Sequence, residues 1–428
     1  MSVVEYLVSG KIAWRFGVAR HNFFTETLPH RGCLNFVKCI CAAGPGGFIL
    51  NQAPNTDSNS IPAIYLKRGF LPVPDPLRSF PDDSPFTLLD EIGMNLPGML
   101  EHHGFRERAR TLQIPAWPES RTRETDLPEL RLYYLRIGFM ASAYINQLGE
   151  PPLHTLPATI AVPLCHVCTI LRRPPILSYD GYALYNWRRL DPAGPVALGN
   201  IDTIQNFVHL HDEHWFILVH VEIEAIAARI LDAVARIRAS LVIPDYPAID
   251  AALMQIAEAV TAQTVVLQRI PEKMDHRLYH RTFRKYIRFF EDVHYEGVSQ
   301  APISYRGETG AQSSIMPLLV GLMKIRHQPS ALTNHLADMR HYMPGEHRAL
   351  IEIVEQLPDL RRWASPASFN RVVEAMAAFR EVHYGWAEQY IHRHTDDPRG
   401  TGGTPYMHWL RQLIDETYAA RLPERTAV

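Results

Sequence analysis

An all-α, mainly helical fold is what this sequence predicts, and three observations carry that expectation. Apolar residues recur at helical steps through most of the chain beyond residue 196. Runs that alternate apolar and polar, as a half-buried strand would, are scarce. Helix-start signals stand where the periods begin, as at Ser365-Pro366, an N-cap followed by a proline whose missing N–H is not needed there.

The elements follow in order. Residues 1–65 mix glycine, asparagine and cysteine with short apolar runs, and Gly44-Pro-Gly-Gly47 and Asn55-Thr-Asp-Ser-Asn-Ser60 break any period. They read as an N-terminal extension with no assigned function. From Arg68 the pattern turns globular, with helical periods over 86–96 and 127–148 and a proline-rich connection over 151–163. Residues 162–187 hold a helix, a Pro174-Pro175 break and a second, aromatic-rich helix. Asp191-Pro-Ala-Gly-Pro195 is turn-rich. It divides a smaller, mostly helical domain over 66–195 from a large helical domain over 196–428.

Beyond that linker, helices are expected at about 216–241, 247–268, 275–292, 313–326, 330–342, 346–356, 368–394 and 404–420. Residues 216–224 end in strand-like alternation, yet the alanine-rich continuation has helical propensity and period. Helix is preferred there. It places Phe216, His220, Ile223, Ala227 and Ile230 on one stripe.

Composition narrows the function. At 428 residues the chain exceeds one ordinary core, and 46% apolar with 21% charged residues is a folded protein's balance. A net charge of −2 argues against a nucleic-acid binder. No apolar run approaches the roughly 20 residues a membrane span needs. Without a basic-then-apolar start, a cytoplasmic protein is expected. The five cysteines are an odd, sparse set suited to a reducing compartment. Cys165-His-Val-Cys168 has no partner CxxC and no following histidine, so buried structural thiols are the expectation.

Several polar residues stand in unusual places. His383 shares an apolar helical stripe with Phe369, Val372, Val373, Met376, Phe379, Ala387 and Tyr390. A buried imidazole needs partners, and a metal is one of them; the helix alone favours a core histidine bonded to carbonyls. His220 points inward on the helical reading of its segment. Arg284 flanks a stripe of Tyr279, Phe283, Ile287 and Phe290, within a basic run that reads as a solvated helix face. Gly307-Glu-Thr-Gly-Ala-Gln-Ser-Ser314 opens a helix, and Arg399-Gly-Thr-Gly-Gly-Thr404 follows the helix of His383. Glycine loops permit close backbone approach to a ligand, though neither is a Walker A or dinucleotide motif. His209-Leu-His-Asp-Glu-His214 reads as an exposed polar loop before a helix.

Together these pieces resemble the indoleamine 2,3-dioxygenase family of haem enzymes. The resemblance covers about residues 67–420 and is strongest in four stretches. They are Pro174-Pro-Ile-Leu-Ser-Tyr-Asp-Gly-Tyr-Ala-Leu-Tyr-Asn-Trp187, Gly310-Ala-Gln-Ser-Ser314, Asp338-Met-Arg-His-Tyr-Met-Pro344 with His347-Arg348, and Gly400-Thr-Gly-Gly-Thr404. It implies a large helical domain that binds haem b, with His383 as proximal ligand of the iron. By the same resemblance Arg380 lies near the haem propionates, and Thr309 and Gly310 lie in the loop beside the haem. Arg284 would grip the substrate carboxylate, and Thr401 lies in the loop that closes over the amino-acid end. Tyr179, Tyr182, Ala183, Phe216, Ile217 and Tyr279 correspond to pocket-lining positions. His220 stands where the best-known members have serine. The related tryptophan 2,3-dioxygenases carry a distal histidine toward the indole N–H, so His220 is expected to bond that N–H or bound oxygen. The implied reaction is insertion of both atoms of dioxygen across the indole C2–C3 bond of L-tryptophan, or a related indole, giving N-formylkynurenine. An external electron donor keeping the haem ferrous and a monomeric state are part of the same expectation. Indole-modifying haem chemistry of secondary metabolism, and non-catalytic haem or ligand binding, are the alternatives.

Overall fold

The computed structural model describes residues 62–394 and 406–423, and the N-terminal extension lies outside them. Helices dominate. The N-terminal part contains α1 (Ala63–Arg68), α2 (Thr87–Glu101), α3 (Phe105–Thr111), α4 (Leu127–Ile145) and α5 (Ala158–Ile170). The later part contains α6 (His211–Val242), α7 (Tyr246–Leu267), the short α8 (His276–Arg281), α9 (Ile315–Met323), α10 (Ala331–Arg340), α11 (Gly345–Glu355), α12 (Pro366–Tyr390) and α13 (Tyr406–Tyr418).

Two apolar cores organise these helices. One gathers Leu89, Ile92, Tyr134, Phe139, Leu164 and Trp187, with Phe207 and Tyr286 brought in from later in the chain. The other gathers Val219, Ile230, Ile256, Val260, Leu318, Val373 and Met376, where α6, α7, α9 and α12 pack. Helix α6 serves both, since Ile217, Leu218 and Val221 belong to the first core and Trp215, Val219 and Ile223 to the second. It is apolar around much of its girth because it has neighbours on two sides. Residues 216–224 are therefore helix, as propensity and period require.

Three small strands make one sheet, in the order β1 (Thr155–Leu156), β4 (Phe290–Tyr295), β5 (Ile303–Tyr305). Strand β4 runs parallel to β1, with Thr155 opposite His294, and antiparallel to β5. Strands β2 (Arg188–Arg189) and β3 (Ile201–Asp202) pair separately. The helix expected over 275–292 is thus corrected. Helix α8 ends at Arg281, a single 3-10 turn spans Phe283–Lys285, and the chain then enters β4. The stripe of Tyr279, Phe283, Ile287 and Phe290 is buried all the same. Those residues pack inward from three different elements, so a helical spacing arose without one helix.

The aromatic segment after Pro174-Pro175 departs from an ordinary helix too. Asp180–Leu184 is a π-helical turn, a wide turn that recurs at functional sites. Asp180 holds it, accepting from the Ser178 hydroxyl at 2.9 Å and the Gly181 N–H at 2.8 Å while pairing with buried Arg173. Cys165 and Cys168 are buried free thiols pushed far above the ordinary thiol range by burial. No described helix is long and apolar enough to cross a membrane.

Candidate active site

Helix α12 starts as the sequence requires, with the Ser365 hydroxyl accepting the Ser368 N–H at 3.2 Å and Pro366 in the first turn. Its inward stripe is buried at Phe369, Val372, Val373 and Met376, opens at Phe379 and His383, and closes again at Ala387 and Tyr390. The continuous buried stripe expected from periodicity is therefore corrected at His383, whose side chain has accessible surface. Yet its surroundings are those of a protein interior. Burial, with smaller contributions from His220 and Arg380, holds the imidazole down at about 4. Both observations follow from one placement: the ring borders an opening walled by protein. The described residues give it no hydrogen-bond partner.

His220, on α6, is close enough to bias the charge of His383. Its Nδ1 lies 2.7 Å from the Phe216 carbonyl oxygen, one helical turn back. A carbonyl can only accept, so Nδ1 carries the proton and donates. Burial keeps the ring neutral by lowering its pKa. Nε2 is then left with a lone pair to offer. The Phe216 ring sits 4.5 Å from the imidazole, between centroids, and Tyr179 packs edge-on at 6.0 Å.

The π-helical turn brings Tyr179, Tyr182 and Ala183 into the interior, each nearly fully buried. Ile217 is also buried, while Phe216 is half-buried and tilts against Tyr182, Tyr279 and Phe283. The Tyr179 N–H donates to Gln312 Oε1 at 2.9 Å, and Gln312 Nε2 donates to the Gly307 carbonyl at 2.9 Å. Two sequence stretches, around 179 and 312, are thereby locked together.

Three buried carboxyls were missed by the sequence reading. Glu213 lies in what was expected to be an exposed polar loop; instead α6 already runs there, and Glu213 is fully buried. It accepts the backbone N–H groups of Phe207 and Val208 at 2.9 Å each, and the Tyr182 hydroxyl at 3.1 Å. Glu224 accepts the Tyr179 hydroxyl at 2.9 Å and the Ser313 hydroxyl at 2.6 Å, and among the described residues its other oxygen has no partner. Glu308, beside Thr309, is 3% exposed. Burial raises these carboxyls to about 7, 7 and 8 respectively.

Arg284 is buried rather than part of a solvated face, and among the described residues its Nε has no partner. Its guanidinium lies against the Tyr279 hydroxyl, whose pKa burial pushes up to about 12. Arg380 is buried and ties α12 to α13, donating to the Leu413 carbonyl at 2.8 Å and to the Thr417 hydroxyl. Burial lowers it to about 10. Thr309 is half-buried, its hydroxyl capping the turn at Gly310, and a side chain at Gly310 would meet open space. Thr401 and the glycine loop 399–404 lie outside the described residues.

This arrangement fits haem. A haem iron takes a neutral imidazole with room beside it, and His383 offers one. Among the described residues no group of three or more His, Cys, Asp or Glu side chains could hold a bare metal ion. A separate cleft lined by Phe289, Phe290, Ser304, Tyr305, Arg306 and Tyr342 shares none of these residues.

The chain is also similar to known proteins. Residues 62–396 match the family model for indoleamine 2,3-dioxygenase. The chain is 29% identical to indoleamine 2,3-dioxygenase 1 of Rattus norvegicus, with 82% of this chain and 92% of that one covered. It is 28% identical to indoleamine 2,3-dioxygenase 2 of Homo sapiens, with 85% and 95% covered. It is also similar to a 6-hydroxytryptophan 2,3-dioxygenase of Fusarium equiseti, at 23% identity with 77% and 83% covered.

Proposed function

The chain belongs to the indoleamine 2,3-dioxygenase family and is an oxidoreductase of the dioxygenase class; on that footing we propose that it binds haem b and cleaves the indole C2–C3 bond of L-tryptophan or a close relative. The observation that carries the reading is His383, a neutral imidazole bordering an interior opening with His220 nearby. His383 would hold the iron, and Arg380 would stand near the propionates while bracing α12 against α13. Haem bound there supplies the activation of dioxygen, both of whose atoms enter the N-formylkynurenine product.

The chain's own residues bind and orient the substrate. Arg284 takes the α-carboxylate: it is buried, one nitrogen lacks an acceptor among the described residues, and its planar fork suits bidentate recognition. Tyr179, Tyr182, Ala183, Phe216, Ile217 and Tyr279 wall a flat ring and exclude water. His220 accepts the indole N–H at Nε2, because Nδ1 is already donating to Phe216. Thr309 and Gly310 leave room beside the ring, and Thr401 closes over the amino-acid end. An external donor keeps the iron ferrous, and the protein works as a cytoplasmic monomer.

Reduced, haem-loaded protein given L-tryptophan and dioxygen is expected to yield N-formylkynurenine, followed by its absorbance. No product from any indole amino acid, with the haem demonstrably ferrous, refutes the reading. Arg284→Ala should raise the KM for L-tryptophan about 10–100-fold, the loss of a charge-assisted bond. Arg284→Lys should recover only part of it. An unchanged KM in both variants would place the carboxylate elsewhere. The relative named for 6-hydroxytryptophan supports extending the substrate class to ring-substituted tryptophans.

A further inference from the structure

We propose that Glu224 is a positioning residue: its carboxyl holds Tyr179 against His220, and so fixes the ring nitrogen that meets the indole N–H. This rests on the indole-cleaving reading above and adds to it what sets the distal histidine.

Glu224 stands where three segments of the site meet. It lies on α6, four residues and one helical turn beyond His220. Its Oε1 accepts the Tyr179 hydroxyl, from the start of the π-helical turn, at 2.9 Å. The same oxygen accepts the Ser313 hydroxyl, from the 307–314 loop, at 2.6 Å. One carboxyl thus joins the segments that carry Tyr182 and Ala183, Phe216 and Ile217, and Thr309 and Gly310. The side chain is fully buried, so bulk water does not compete for either bond. Its backbone is held as well. Gly69 packs so closely that an added Cβ would strike the Glu224 carbonyl oxygen, and Gln263 of α7 donates to the Ile223 carbonyl at 2.9 Å.

Tyr179 carries that anchorage to His220. Gln312 accepts its N–H at 2.9 Å and Glu224 accepts its hydroxyl, so the residue is fixed at both ends. Its ring packs edge-on against the imidazole, with centroids 6.0 Å apart. The Phe216 ring lies 4.5 Å from the imidazole, and the Phe216 carbonyl takes the Nδ1 proton. Two of these contacts come from the helix of His220 itself, and the third depends on Glu224. With that carboxyl removed, the buried hydroxyls of Tyr179 and Ser313 both lose their acceptor, and the Tyr179 ring must turn to find another.

The bond asks for an oxygen lone pair rather than a charge. Oε2 of Glu224 is buried and has no partner among the described residues. Burial raises the carboxyl to about 7, so near neutrality much of it keeps a proton, carried on Oε2. A glutamine amide reproduces that form, with the accepting oxygen in the same place.

The test compares L-tryptophan with 1-methyl-L-tryptophan, which lacks the indole N–H, on the haem-loaded protein, by steady-state kinetics and by Soret shift on binding. Glu224→Ala should lose about 5-fold or more of the preference for tryptophan, in KM rather than kcat, with haem content retained. Glu224→Gln should restore most of it. Tyr179→Phe removes the same bond from the other side and should lose a similar share; it serves if the alanine variant fails to fold. The double variant should lose no more than Glu224→Ala alone, because both changes break one interaction. Three results each overturn the assignment of Glu224 while leaving tryptophan cleavage intact: lower stability with the preference unchanged, a glutamine variant as poor as alanine, or losses that add in the double variant. A native protein that neither binds nor cleaves tryptophan overturns the functional reading itself, and this inference with it.

Discussion

His220 is close enough to bias the charge of His383, and both are neutral, yet their surroundings fit them for different work. His383 keeps both ring nitrogens free of described partners, which suits a nitrogen lone pair given to iron. His220 spends Nδ1 on the Phe216 carbonyl, so only Nε2 can meet a substrate, and only as an acceptor. Two outcomes follow. His383→Ala should fold but lose the Soret band of added haem; an unchanged spectrum would move the iron ligand elsewhere. For His220 the informative probe is 1-methyl-tryptophan, which lacks the ring N–H. The native protein should discriminate against it relative to tryptophan by about 10-fold or more, one hydrogen bond's share. In His220→Ala that discrimination should shrink markedly. If it persists undiminished, steric exclusion by Phe216 and Tyr179 explains it and His220 reads nothing.

At the scale of elements, the site is assembled where regular structure is interrupted. The π-helical turn at Asp180–Leu184 carries Tyr179, Tyr182 and Ala183 because Asp180 is tied to Arg173, Ser178 and the Gly181 N–H. Asp180→Ala would leave Arg173 charged and buried without its counter-ion. It should lower stability by about 3–5 kcal/mol, read as a shifted denaturant midpoint, and weaken substrate binding more than haem binding. Loss of haem with stability intact would contradict that division. These interruptions also explain what sequence could convey. Helix α12 was legible because its cap, its proline and its stripe are local. The opening at His383 was not, since it depends on what faces α12. Arg284 read as solvated because neighbouring basic residues are exposed, whereas its own burial comes from Tyr279 and the turn into β4. Glu213 was hidden for a related reason: Tyr182 lies far back in the chain, and no spacing announces that pair.

Across the whole molecule, the buried acids give folding a pH dependence of unusual sign. Most paired carboxylates have lowered pKa values and add stability as pH rises; Asp202, held at about 2 by His214, is one. Glu213, Glu224 and Glu308 are opposite, raised by burial to about 7, 7 and 8 from an ordinary 4.5. Between pH 4.5 and those values the folded chain holds protons that the unfolded chain has released. Histidines held down by burial, His280, His335, His347 and His383 at about 4, act in the opposite sense below about 6.5. Stability should therefore fall as pH rises from about 7 to 8.5, where only the acids still titrate. The midpoint of thermal unfolding at pH 7 is expected above that at pH 8.5. Replacing Glu308 with Gln, which carries no charge at either pH, should flatten the upper part of that slope without abolishing it. A midpoint that rises steadily from pH 7 to 8.5 would mean that these three carboxyls are hydrated or paired in solution. The polar character assigned to the pocket would then fail with them.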